Sequence, residues 1–175
     1  MTVANRQVFE RTFAALFADR SPRLYGYLSR LCGDAELAED IVQECFVKLY
    51  QRGGMPDDPA AWLVTVAHNL WRDDRRRGAR QGRLLLERTA EVPTGAVPVP
   101  ADADTLAAER VATVRRALDR LPLRDRQLLL LRHEGYGYRE IAGALELTPS
   151  SVGTMLARAS EAFRKAYHEI FGAST

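Results

Sequence analysis

An all-α fold of two small helical domains joined by a flexible linker is what this sequence predicts, on three observations. Apolar residues recur at helical spacing almost everywhere before residue 78, no stretch shows strict apolar–polar alternation between turn residues, and helical spacing resumes only after Asp104. Between Gly78 and Asp104 the sequence sets Pro93, Pro98 and Pro100 among Ala, Val, Thr and Gly, a composition that favours extended chain. The expected division is a first domain over 1–77, a linker over 78–104 and a second domain over 105–175. With 175 residues and 46% hydrophobic content the chain can bury one medium core or two small ones, so the linker decides.

The first helix is expected from about Arg6 to Leu31, with Phe9, Phe13, Leu16, Phe17, Leu24, Tyr27 and Leu28 inward, an irregularity at Ser21-Pro22, and Gly33-Asp34 at its end. A second runs from about Ala35 to Tyr50. Its Leu37, Ile41, Cys45 and Leu49 stand four apart beside Ala38, Val42 and Phe46, a wide core-facing stripe. Gly53-Gly54 and Pro56-Asp57-Asp58-Pro59 resist helix on both sides and make a loop. A third helix starts near Pro59, carries Trp62, Leu63, Val66, Ala67, Leu70 and Trp71, and ends in Arg75-Arg76-Arg77-Gly78. After the linker, helices are expected over about Thr105–Leu121, Arg124–Glu134, Tyr138–Glu146 and Pro149–Ile170, broken at Pro122 and at Gly135 to Gly137. Thr148 is expected to cap the last of them with its hydroxyl, while Pro149 takes the first-turn position that needs no amide donor.

The net charge of +2 does not announce a nucleic-acid partner, but its distribution is uneven. Asp34 to Glu44 holds five acids and no base, whereas Arg72 to Arg83 holds six arginines against Asp73 and Asp74, so opposite partners are expected for the two segments. Glu36, Asp40 and Glu44 repel at i,i+4 spacing, a cost of a few tenths of a kcal/mol per pair that a basic partner would offset. Without such a partner they read as a solvated face. Cys32 and Cys45 lack a Cys/His cluster, so neither a disulfide framework nor a zinc site is indicated and both read as buried thiols. No targeting segment and no window of the roughly 18 apolar residues a membrane span requires is present, which leads to the expectation of a soluble cytoplasmic protein with no membrane insertion. His68, Asp73 and Asp74 do not assemble into a hydrolytic metal site: His68 and Asp73 are about 140° apart around a helix, and no phosphate loop or nucleophile motif occurs. No enzyme activity, catalytic residue, metal or cofactor is expected.

Tyr138 to Arg158 has helix-turn-helix spacing, with Ile141, Ala142, Leu145, Leu147 and Val152 inward. Ser150, Ser151, Thr154 and Arg158 then face outward, hydroxyls for bases or phosphates and an arginine able to fork onto guanine. Alone, the pattern also fits an ordinary helical hairpin, and Glu146 sits where a turn often favours glycine. Trp62, His68, Asn69 and Trp71 pass directly into the arginine run, a surface suited to single-stranded DNA through stacking, phosphate contacts and an asparagine on a base edge. Trp62 is assigned to the core, while Trp71 fits either core or stacking platform.

In this order the motifs resemble the extracytoplasmic-function sigma factors, the compact group of bacterial RNA polymerase specificity subunits, over nearly the whole chain. The residues from Gly33 to Glu44 resemble the family's core-binding helix; Ala60-Ala61-Trp62-Leu63 through Ala67-His68-Asn69 to Asp73 resemble its promoter-melting helix. Leu121-Pro122, Arg126 to Leu131, Glu134-Gly135, Tyr138 to Ala142 and Ser151-Val152-Gly153-Thr154 resemble its second DNA-binding domain. The resemblance implies that Asp40, Gln43 and Glu44 bind core RNA polymerase, that Asn69, Trp71, Arg72, Arg75 and Arg76 take the melted minus-10 strand, and that Arg139, Ser150, Ser151, Thr154 and Arg158 take the minus-35 duplex. The expected partners are core polymerase, promoter DNA as duplex and single strand, and a separate anti-sigma factor, since no long extension follows Thr175 to suggest an appended sensory domain. Three departures stand out: Gly137 replaces the usual capping Ser or Thr, and Leu156 and Ala157 replace a basic and a small polar residue of the recognition helix. A conventional helix-turn-helix repressor and a helical adaptor remain as alternatives, but neither explains the acidic helix, the aromatic-to-arginine transition and the helix-turn-helix in that order.

Overall fold

A computed structural model describes residues 3–86 and 105–172, and the described chain is helical, with no strand. Its elements are α1 (Val3–Cys32), α2 (Ala35–Arg52), α3 (Pro59–Leu86), α4 (Thr105–Asp119), α5 (Leu123–His133), α6 (Tyr138–Leu145) and α7 (Pro149–Gly172). They fall into two compact units, α1 to α3 and α4 to α7.

In the first unit all three helices touch one another. Gly33, at φ 74, turns the chain sharply after α1, a left-handed conformation that glycine takes without a Cβ clash. α2 therefore folds back along α1. Phe13 meets Phe46 edge-on at 6.0 Å and Tyr50 at 5.4 Å, Phe17 meets Phe46 at 4.8 Å, and Phe9 reaches Tyr50 at 5.9 Å. Leu24, Tyr27 and Leu28 of α1, Cys45 and Leu49 of α2, and Leu63, Val64 and Ala67 of α3 fill the centre. Phe17 is 46% exposed and so lies at the margin of the inward face expected of it. Helix α1 continues through Pro22; Pro22 and Ala18, whose carbonyl loses its donor, are both exposed, so the lost bond falls where solvent can replace it.

Helix α3 corrects the expected boundary. It passes Gly78 and ends only at Leu86, so residues 78–86 of the expected linker are helical; residues 87–104 lie outside the described residues. A glycine on an exposed helix costs about 1 kcal/mol relative to alanine, too little to stop a helix among good formers such as Arg, Gln and Leu.

The second unit packs α7 against α4, α5 and α6. Leu128, Leu131, Tyr136, Ile141, Val152 and Ala159 form its centre, and Ala117 and Leu121 of α4 pack with Ala166 and Ile170 of α7. Two arginines fasten the helix ends: Arg126 Nη1 donates to Asp119 Oδ1 at 2.6 Å, and Arg124 Nη2 to the Leu145 carbonyl at 3.1 Å.

Candidate nucleic-acid and protein interfaces

Helix α2 is started by Asp34, whose Oδ1 accepts the Leu37 amide at 3.1 Å, and stopped by Gly53 at φ 69. Ala38, Ile41, Val42, Cys45, Phe46 and Leu49 are buried, which leaves Glu36, Glu39, Asp40, Gln43 and Glu44 exposed. Asp40, Gln43 and Glu44 lie within one turn of each other, so the structure brings the three together on a solvent-facing surface. Lys48 Nζ lies 3.1 Å from Glu44 Oε1, one turn on. On the inner side, burial and then the Glu44 charge push the Cys45 thiol up to about 12, so it stays protonated, with Sγ 3.8 Å from the Leu63 carbonyl. Cys32 is half-buried, and neither cysteine is in a disulfide.

Helix α3 begins as Asp58 Oδ1 accepts the Ala61 amide at 2.9 Å, with Pro59 in the first turn. Asn69, Arg72 and Arg76, three and four residues apart, share an exposed stripe; Asp73 is exposed beside it, 3.7 Å from Arg76 Nη1. Trp71 departs from the stacking role. It is 7% exposed, because it continues the inward series Ala60, Val64, Ala67, and the Arg75 guanidinium lies 5.3 Å from its ring centre. Its indole thus fills the core and props Arg75 instead of offering a face to a base. Trp62 falls between the inward positions and is half-buried, so the core placement expected of it is only partly met. His68 is 6% exposed, and its Nε2 shares a 2.5 Å hydrogen bond with Tyr27 Oη. Burial, and then the charge of Arg72, hold the imidazole down to about 4, so it is neutral at pH 7 and committed to α1.

In the second unit Gly137 starts α6 without a side chain, and Glu140 compensates by accepting the Gly137 amide at 2.6 Å. Glu146 closes α6 at φ 55, the left-handed conformation expected where glycine would be at ease, and its amide reaches the Ala142 carbonyl. Capping of α7 differs from expectation. The Thr148 carbonyl accepts both the Ser151 amide (3.0 Å) and the Ser151 hydroxyl (2.8 Å), while the Thr148 hydroxyl lies 3.3 Å from Ser150 Oγ. Ser151 is accordingly half-buried and its hydroxyl serves the turn, which removes it from the outward set. Arg139, Ser150, Thr154 and Arg158 are exposed as expected. Leu156 is 8% exposed and belongs to the core stripe, so no DNA-facing side chain is missing there. Tyr138, 48% exposed, lies so close over Gly153 that a Cβ there would come 3.4 Å from its ring, and Arg132 sits 5.8 Å from the centre of that ring. Helical spacing did not single out Tyr138 as a surface group or Glu161 as a member of the outward face of α7, and Ala157, noted only as a departure, lies on that face too.

Among the described residues no three His, Cys, Asp or Glu side chains gather as a metal site, and no helix is long and apolar enough to cross a membrane.

Each unit matches one module of the sigma-70 class of transcription initiation factors: residues 16–81 match Sigma-70 region 2, and residues 112–163 match Sigma-70 region 4. The ferric citrate uptake sigma factor FecI of Escherichia coli is 31% identical over 153 residues, covering 86% of this chain and 87% of FecI. The ECF RNA polymerase sigma factor SigL of Mycobacterium tuberculosis is 30% identical over 161 residues, 89% of either chain. The sigma factor RpoE of Bartonella quintana, solved in complex with the anti-sigma factor NepR, shares the fold with a TM-score of 0.65 at 20% identity, over 94% of this chain and 99% of that one. The chain belongs to the extracytoplasmic-function sigma factors, the RNA polymerase subunits that direct promoter-specific transcription initiation.

Proposed function

We propose that the two units divide the work of initiation. Unit α1 to α3 docks on core RNA polymerase through Asp40, Gln43 and Glu44 and takes the melted minus-10 strand with Asn69, Arg72, Arg75 and Arg76; unit α4 to α7 takes the minus-35 duplex with Arg139, Ser150, Thr154 and Arg158. The observation that carries this reading is the segregation of charge within one unit: α2 exposes an acidic face while the neighbouring α3 exposes arginines and an asparagine. A carboxylate surface suits a basic protein groove and is repelled by DNA, whereas arginines suit phosphates. The protein works in the cytoplasm beside the polymerase, as a specificity subunit of it; its match to the sigma-70 modules supports this reading. A separate anti-sigma protein holds it inactive; what supports this is that RpoE, a chain of the same fold, is solved in complex with the anti-sigma factor NepR.

Run-off transcription with purified core polymerase tests the reading. Addition of the protein should yield a discrete transcript from its promoters, and free protein should bind the same duplex weakly, because two small surfaces gain selectivity only when held together. Tight, selective binding of the free protein to a palindromic duplex, with no gain from core polymerase, would refute it in favour of a repressor.

A further inference from the structure

The outward face of α7 holds more than the hydroxyls and arginine already assigned. Opposite the buried stripe Val152, Leu156, Ala159, Ala166 and Ile170, the exposed residues at spacings of four, three and four are Ser150, Thr154, Ala157 and Glu161. Glu161 thus stands on the same line as the hydroxyls, about 10 Å beyond Thr154, which is about three base-pair steps along a groove. Its side chain is 68% exposed, and Arg164 Nη1 donates a hydrogen bond to its Oε2.

A carboxylate on a surface that enters a duplex is costly, since phosphates line both edges of the groove at about one charge per 1.7 Å. Two features reduce that cost here: the neighbouring guanidinium, which can turn its remaining donors to a phosphate, and any base that offers the carboxylate a proton. In the major groove cytosine presents only its exocyclic N4 amine, a donor. Adenine pairs its amine with the N7 acceptor, and guanine shows acceptors only. Resting on the reading of α7 as the duplex-entering helix, we propose that Glu161 is a specificity-determining residue that accepts a hydrogen bond from a cytosine N4 amine in the upstream promoter element, with Arg164 as its positioning residue. The Ala157 methyl, one turn before, leaves the groove floor open so that the carboxylate can reach the base.

The test uses the complete protein bound to core polymerase, on promoters in which each base pair of the upstream element is replaced in turn. At one position the wild-type complex should favour cytosine by about tenfold, a typical discrimination for a good base contact. Glu161→Ala should flatten that position alone, and Arg164→Ala should weaken the same preference in part. The Glu161→Ala profile superimposing on the wild-type profile, or a gain in affinity equal at every sequence, would mean that the pair is only a solvated surface contact and would overturn the inference. Failure of the underlying reading looks different: scrambling the whole upstream element would then leave the wild-type complex as tight as before.

Discussion

In the first unit the exposed chemistry is separated by helix, with Glu36, Glu39, Asp40 and Glu44 on α2 and Arg72, Arg75 and Arg76 on α3. In the second, α7 carries most of it, with Ser150, Thr154, Ala157 and Glu161 in one file, Arg158, Arg164 and Lys165 beside that file, and Arg139 added from α6. The interiors differ as well. The first buries a histidine against a tyrosine and a thiol against a carbonyl, whereas the second is mostly aliphatic. Blocks of one sign suit partners recognised by their field, a protein groove or a phosphate backbone. A file of unlike side chains suits a partner recognised group by group, such as the edges of base pairs.

The comparison breaks first if the units are not independent. Leu49→Ala in the first and Leu131→Ala in the second each truncate a side chain with no exposed surface, and each should cost its own unit about 3 kcal/mol. Denaturant unfolding followed by a probe in each unit should show one transition moving per variant. A shift of both transitions by either variant would mean the two cores fold as one.

The buried histidine gives a second contrast. Its folded value of about 4 lies below the ordinary 6.5, so the unfolded chain binds the proton more readily. The stability this contributes is present in full above pH 6.5 and is lost as pH falls towards 4, on the order of 3 kcal/mol in all. The second unit's His133 and His168 are exposed. The stability of the first unit should therefore fall between pH 6.5 and 4 more in the wild type than in His68→Gln, and parallel pH curves for the two would contradict this.

A smaller effect belongs to the second unit alone. Glu146 at φ 55 occupies a conformation that costs an L-residue about 1–2 kcal/mol, and glycine there gives back part of that relief through a freer unfolded chain. Glu146→Gly should raise the midpoint of the second unit by an amount worth about 0.5–1 kcal/mol. An unchanged or lowered midpoint would show that the Glu146 side chain contributes to the turn.

The two units were also unequally legible. Charge blocks and apolar periodicity are properties of runs, and so α2, the arginine segment and the inward stripes of α1 and of the helix-turn-helix could be read from spacing. What escaped depended on a single residue's phase or partner. Trp71 continues the inward series and Trp62 does not, a difference of two positions that composition cannot register. Ser151 turns to the Thr148 carbonyl three residues back, a local bond that competes with an outward role. Gly78 reads as a breaker, yet on an exposed helix among good formers it breaks nothing.

The smallest expected change in stability separates docking from folding most sharply. Asp40 and Glu44 are exposed on α2, opposite the residues that fill the core, so Asp40→Lys with Glu44→Lys removes no packing. It does exchange one exposed pair, Glu44 with Lys48, for a like-charge pair, and leaves positions 40 and 44 as mutually repelling as before with the sign reversed. Exposed pairs of this kind are worth a few tenths of a kcal/mol, and both positions lie away from the helix ends where the dipole would add to them. The midpoint of the first unit should therefore move by less than about 0.5 kcal/mol. Retention on immobilised core polymerase should nonetheless be lost, because the surface that meets a basic groove has become basic itself. Arg158→Ala supplies the matched control from the second unit: it too is exposed and should leave stability unchanged, but it should retain core binding and lose only promoters that depend on the upstream element. Undiminished retention of the α2 double variant would remove polymerase docking from this face, and equal loss of retention by Arg158→Ala would show that the two units do not divide the work between them.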